Sequence, residues 1–183
     1  LLYYQDDKFD EAIAAYQAVI KNYPGSEEAR LAQRDLKSIY IDLNRVDEYA
    51  NYASTISGGV NFDVNERDSL TYVAAERIYI RGDTNQAKES FMRYLQTFPE
   101  RAFSLNANYF VGLIEYNQKN YEQAMACLNK VLEYPANKYS EDARVMSAEM
   151  AYVNKDYDKA LEHYKRLREQ TASSERRQLA ETG

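Results

Sequence analysis

Tryptophan is missing from the sequence, and cysteine and histidine occur once each among 183 residues. A single thiol cannot form an internal disulfide, so no disulfide framework holds the fold, and Cys127 says nothing about compartment. The thiol is expected to be buried and inert. His163, in "LEHYKRL", has no second His, Cys or carboxylate at ligand spacing, which argues against a metal centre. Cys127 and His163 are too far apart in sequence to suggest a nucleophile and its base. Six glycines and three prolines are too few to punctuate the many short strands of an all-β protein. No Gly-rich phosphate loop occurs, and "SGGV" after Ile56 reads as a helix C-cap and turn.

Other absences concern partners. No apolar run of about 18 residues exists, so the sequence offers no transmembrane segment. A net charge of −6 and a pI near 5.0 argue against nucleic acid, whose affinity for proteins comes from Lys and Arg displacing counterions. The densest basic cluster, Lys165, Arg166 and Arg168, is interleaved with Glu162 and Glu169 and reads as a solvated helix face. The adjacent acidic pairs "EE", "DE" and "ED" point in different directions from a helix and suit first-turn dipole charges better than acid/base pairs. The reading is of no enzyme, no cofactor and no metal.

What the sequence does have is a repeated phrase. Residues 8–24 read "KFDEAIAAYQAVIKNYP", residues 119–135 "KNYEQAMACLNKVLEYP" and residues 155–167 "KDYDKALEHYKRL". Anchored on Ala12, Ala87, Ala124 and Ala160, the spacings are 75, 37 and 36 residues, so a degenerate copy is required near position 49. "RVDEYANYASTI" supplies it through Val46, Tyr49, Ala53 and Ile56. A large residue recurs four after the anchor (Tyr16, Phe91, Leu128, Tyr164). Another follows three further on (Val19, Ile56, Tyr94, Val131, Leu167), which makes one stripe on one helix face.

Pro24, Pro99 and Pro135, each after an aromatic residue, stop the helix, because proline disfavours helical geometry in the residue before it. Ser26, Ser140 and Ser174 follow as N-cap candidates. The other half of each period also has helical spacing and ends in a polar turn: "NR", "RGDT", "QKN" or "NKD". Each period is therefore a helical hairpin that must stack on its neighbours to bury its apolar faces. The expected repeats span about 26–59, 63–99, 101–136 and 139–172, with partial ones at 1–24 and 174–183. The opening "LLYYQDD" reads as the end of a helix and the closing "SSERRQLAETG" as the start of one, as in a piece of a longer solenoid.

These residues resemble the tetratricopeptide repeat: a small residue within the first helix (Ala75, Gly112, Ala148), an aromatic opening the second (Phe9, Tyr121, Tyr157), the alanine anchor and the closing proline. The resemblance implies an all-α, right-handed α-solenoid of antiparallel helical hairpins, a tetratricopeptide-like superhelix covering 1–183, that acts as a protein-binding scaffold. The 36–38-residue period, with residues 15–40 as a model stretch, is similar to bacterial envelope repeat proteins of the BamD and YbgF types. That likeness implies a periplasmic or outer-membrane-associated location. Three positions depart from the pattern. Lys37 and Tyr49 stand where the family keeps small residues, and Glu115 stands at a core aromatic site; with the long connection 54–69, a loosely packed or bent second repeat is expected.

Eighteen tyrosines exceed what a core needs. One column at repeat spacing holds Tyr4, Ile41, Tyr79, Tyr116 and Tyr152, and a second holds Arg34, Tyr72, Tyr109 and Val145. The resemblance implies that these columns face a concave groove. Tyr72, Tyr79, Tyr109, Tyr116 and Tyr152 are then candidate partner-binding residues, with rings that give rigid contact area and hydroxyls that give hydrogen bonds. The alternative is that the rings only pack between repeats. The family's dicarboxylate clamp uses Lys and Asn; the matching positions here are Tyr72, Glu76, Tyr109 and Leu113, which disfavours a chaperone-tail receptor. The partner expected is another protein or peptide. The rivals are homo-oligomerisation and a glycan-binding accessory domain of an envelope enzyme.

Overall fold

The computed structural model describes residues 2–56, 62–170 and 174–182, with side chains described from residue 8 and, in the last helix, from residue 178. The "SGGV" turn lies outside the described residues. Every described element is helical: α1 (Leu2–Asn22), α2 (Glu27–Asp42), α3 (Val46–Thr55), α4 (Val64–Ile80), α5 (Thr84–Thr97), α6 (Ser104–Asn117), α7 (Tyr121–Glu133), α8 (Ser140–Val153), α9 (Tyr157–Gln170) and α10 (Ser174–Thr182). The chain divides into two compact units, Leu1–Ser90 and Phe91–Gly183, with the division inside α5.

The prolines act as read. α1, α5 and α7 end two residues before Pro24, Pro99 and Pro135, and Tyr134 has left the helix at φ −70°, ψ 154°. The polar turns have a common geometry. Asn44, Gly82, Lys119 and Lys155 all take positive φ, between 57° and 89°, at 36- to 38-residue intervals. In three of these turns the next N–H bonds the carbonyl five residues back: Arg45 to Tyr40, Asn120 to Glu115 and Asp156 to Ala151, at 2.8–2.9 Å. The left-handed residue itself bonds the carbonyl three back, which completes a Schellman cap and satisfies the last helical carbonyls.

At "QDDK" no such turn forms, and α1 runs through it. The serines behave differently from one another. Ser26 caps α2, its hydroxyl accepting from the Ala29 N–H at 3.0 Å. Ser140 instead lies inside α8 and accepts from the Asn137 N–H at 2.9 Å, locking the preceding turn. Ser104 does the same with Arg101 N–H at 2.7 Å and also donates to the Phe98 carbonyl. α4 starts with a capping box of Asp63 and Glu66 that the sequence reading passed over.

In the first unit, Ile13, Ile20, Leu36, Tyr40, Tyr49 and Ala53 form the main core. Tyr49 is not loosely held: it is 7% exposed and packs against Tyr40 and Phe62 at ring distances of 5.8 and 5.6 Å. Lys37, the other large residue at a small site, lays its ammonium over the Phe62 ring. α4 packs through Ala74 on Ile41 and Val46, and Arg77 reaches Asp42 at 2.8 Å.

In the second unit the anchor stripe is the core: Phe91, Tyr94, Ala124, Leu128, Val131, Ala160, Tyr164 and Leu167 are all buried. Glu115, at the aromatic site, is 6% exposed and accepts from the Asn120 side chain at 2.7 Å, so a polar pair fills the ring's place and holds the α6–α7 turn. Gly112 lets α6 and α7 approach; a Cβ there would stand 2.7 Å from Leu128 Cδ2 and 2.8 Å from its Cγ. Leu128 is fully buried and has nowhere to retreat. Replacing Gly112 by alanine is therefore expected to destabilise the second unit by about 1–3 kcal/mol through overpacking, read as a lower urea midpoint at an unchanged denaturant slope.

Candidate functional site

The five tyrosines divide between the units. Tyr72 and Tyr79 stand on α4 in the first, where Tyr72 is 4% exposed and Tyr79 is half-buried. Tyr109, Tyr116 and Tyr152 belong to the second. Tyr109 is buried, its ring stacked on Tyr139 at 4.2 Å and 16° and edge-on to Phe110. Tyr116 is half-buried beside Tyr121. Tyr152 is 59% exposed and meets Tyr157 edge-on at 5.6 Å, near the α8–α9 turn.

Two of these five line one cleft. A cavity of about 530 Å³ opens between α6, α8 and α10, lined by Tyr109, Leu113 and Tyr116 from α6, by Asp142, Val145, Met146 and Glu149 from α8, and by Leu179 from α10. The geometry follows from helical spacing. Tyr109, Leu113 and Tyr116 are at i, i+4 and i+7, and so are Asp142, Met146 and Glu149, so each helix presents one stripe. The stripes are in register: the Tyr109 hydroxyl donates to Asp142 Oδ2 at 3.3 Å, and the Tyr116 hydroxyl donates to Glu149 Oε2. Each pair is separated by 33 residues.

Burial, and after it the hydrogen bond to Glu149, raises the Tyr116 phenol well above its ordinary value, so it stays a donor. Tyr164, behind α8, is raised for the same leading reason, with the Glu149 charge adding to it. In the sequence Tyr109, Tyr116 and Val145 stand out by their columns, whereas the "ED" pair of α8 reads only as helix-dipole charge and Glu149 does not stand out. The signal was present in the matching seven-residue spacings on successive first helices.

A second polar group lies between α8 and α9. Arg144 is 7% exposed and Ser147 fully buried, and among the described residues His163 Nδ1 and Ser147 Oγ have no hydrogen-bond partner. Burial first, and then the Arg144 charge, pushes the His163 imidazole below its ordinary value. Cys127 is half-buried, with its thiol raised by burial, the condition of an unreactive cysteine. Among the described residues no three His, Cys, Asp or Glu side chains are grouped to hold a metal ion, and no helix is long and apolar enough to cross a membrane.

Comparison with known proteins bears on the fold. Two tetratricopeptide-repeat family models match, one over residues 1–26 and one over residues 105–138, the second covering α6 and α7. These repeats and the all-helical hairpins make the architecture tetratricopeptide-like, and such repeats generally mediate protein–protein interaction. Among solved structures, one titled "Crystal structure of MamA" is similar at 16% identity and a TM-score of 0.47, over 88% of this chain and 87% of that one. No curated protein matches in sequence.

His163 makes a pH prediction. An imidazole whose folded value is lowered contributes stability that is present above the unfolded value of 6.5 and is lost as pH falls below it. Urea midpoints measured from pH 7.5 down to pH 5 are expected to fall in the parent, and to fall less in His163→Gln. Tyr116 makes the opposite one. A phenol whose folded value is raised contributes stability present below its unfolded value of 10.0 and lost as pH rises above it. Tyr116→Phe is expected to flatten part of the alkaline loss in the same assay.

Proposed function

We propose that the chain is a non-catalytic interaction module that holds a segment of a partner protein in the cleft between α6 and α8. The observation that carries the reading is the cleft: an apolar floor of Leu113, Val145 and Met146, rimmed by two tyrosines whose hydroxyls are fixed by carboxylates. Fixed rings offer contact area at little entropic cost, and an apolar strip along two helices suits an amphipathic or extended segment. Tyr152, on the same helix as Asp142 and Glu149, extends the partner-binding set by its exposed ring. Tyr72 and Tyr79 form the corresponding set on α4 of the first unit.

A second reading has its own observation. Tyr152 and Tyr157 are both more than half exposed, and exposed tyrosine rings also stack on sugars. Self-association through the cleft is the third. A place in the bacterial envelope rests on the likeness of residues 15–40 to envelope repeat proteins, and fractionation of the native cells tests it.

The functional test compares the parent with Leu113→Gln/Val145→Gln, a variant that makes the cleft floor polar, once melting and circular dichroism are shown to match. A protein crosslinked to the parent and lost from the variant is the expected result. Equal capture by both removes the cleft as the site. Retention on cell-wall fragments by the parent but not by Tyr152→Ala would favour the glycan reading, and a concentration-dependent mass in light scattering, lost in the floor variant, would favour self-association.

A further inference from the structure

Glu149 stands at the rim of the cleft, half-buried, with the Tyr116 hydroxyl bonded to one oxygen and, among the described residues, no Lys or Arg paired with it. A tyrosine donor lowers the cost of holding the carboxylate there but leaves its charge in place. The path to it is apolar: Leu113 and Met146 on the floor, with Val145 and Leu179 beside them. A carboxylate at the end of an apolar trough fits a side chain with an aliphatic stem and a cationic head. The half-buried Tyr116 ring is on the opposite wall at the level of Glu149, where a planar cation can lie against an aromatic face.

We infer that the cleft selects partner segments by one basic side chain, arginine in preference to lysine, whose stem lies over Leu113 and Met146 and whose guanidinium pairs with Glu149. Arginine is favoured because its fork can bond a carboxylate through two N–H groups while its plane stacks on tyrosine; lysine supplies a point charge only. The segment carrying it has apolar neighbours that cover Val145 and Leu179. Asp142, seven residues before Glu149 on α8 and about 10 Å away along the axis, holds Tyr109 in the orientation that forms the wall. The inference deepens the interaction reading above and rests on it.

The test offers the immobilised 183-residue protein a phage-displayed random dodecapeptide library and titrates the selected peptides, made synthetically, by fluorescence anisotropy. Selected peptides are expected to share an arginine, or less often a lysine, beside apolar residues. Glu149→Gln is expected to weaken them by about tenfold, the size of a lost charge-assisted hydrogen bond. Replacing the peptide arginine by citrulline is expected to cost about as much against the parent and little further against Glu149→Gln, because the two changes remove one contact. Peptides that bind Glu149→Gln as tightly as the parent but are lost on Leu113→Gln/Val145→Gln would overturn the cation inference and leave the cleft reading standing. Peptides indifferent to both variants, or no selection above background, would overturn both.

Discussion

The structure depends on how closely two helices of a hairpin can approach. Gly112 faces Leu128 so tightly that a methyl group would collide, and Ala148 lies in a cluster with Ala160 and Tyr164, all buried. A small residue on one helix lets a large one on the other sink between the backbones, and that interlock buries the stripe that no single helix could bury. The remaining features follow from keeping the two helices side by side: a tight left-handed turn between them and an abrupt stop after them. On α6 and α8 they leave a second stripe that lines a cleft.

That second stripe is where α6 and α8 meet in the cleft. Because successive first helices are packed in register, residues seven apart on one face residues seven apart on the next, and two tyrosine–carboxylate bonds form at corresponding levels. The same repetition that makes the core thus makes a surface of alternating rings and acids over an apolar floor. Its chemistry differs from a clamp for carboxylate tails. The acids stand on the protein, and the tyrosines donate to them.

Much of the fold was legible because it follows strict spacing. The alanine anchors, the large residues four and seven after them, and the prolines that end α1, α5 and α7 all carry local mechanisms. Less local features were harder to read. Ser140 looks like a cap in sequence, but its hydroxyl serves the turn before the helix, a choice set by the path of residues 137–140. Tyr49 looks too large for its site, yet Tyr40 and Phe62 close around it. "LLYYQDD" looks like the end of a helix, but α1 runs on through it to Asn22. In the cleft the tyrosines were visible as a periodic column, whereas Glu149 became meaningful only when α8 was laid against α6. Burial then separated tyrosines that the two columns had offered alike as candidates: Tyr72 and Tyr109 are enclosed, Tyr152 is open.

The most direct test of the account is site-specific photocrosslinking in cells that make the protein naturally. A photoreactive residue is placed at Val145, on the cleft floor, and in a second strain at Gln123, on the exposed side of α7. The account predicts a crosslinked protein partner from position 145 and none from position 123. The same partner from position 123, with position 145 silent, would contradict it and move the interaction surface to the second helices.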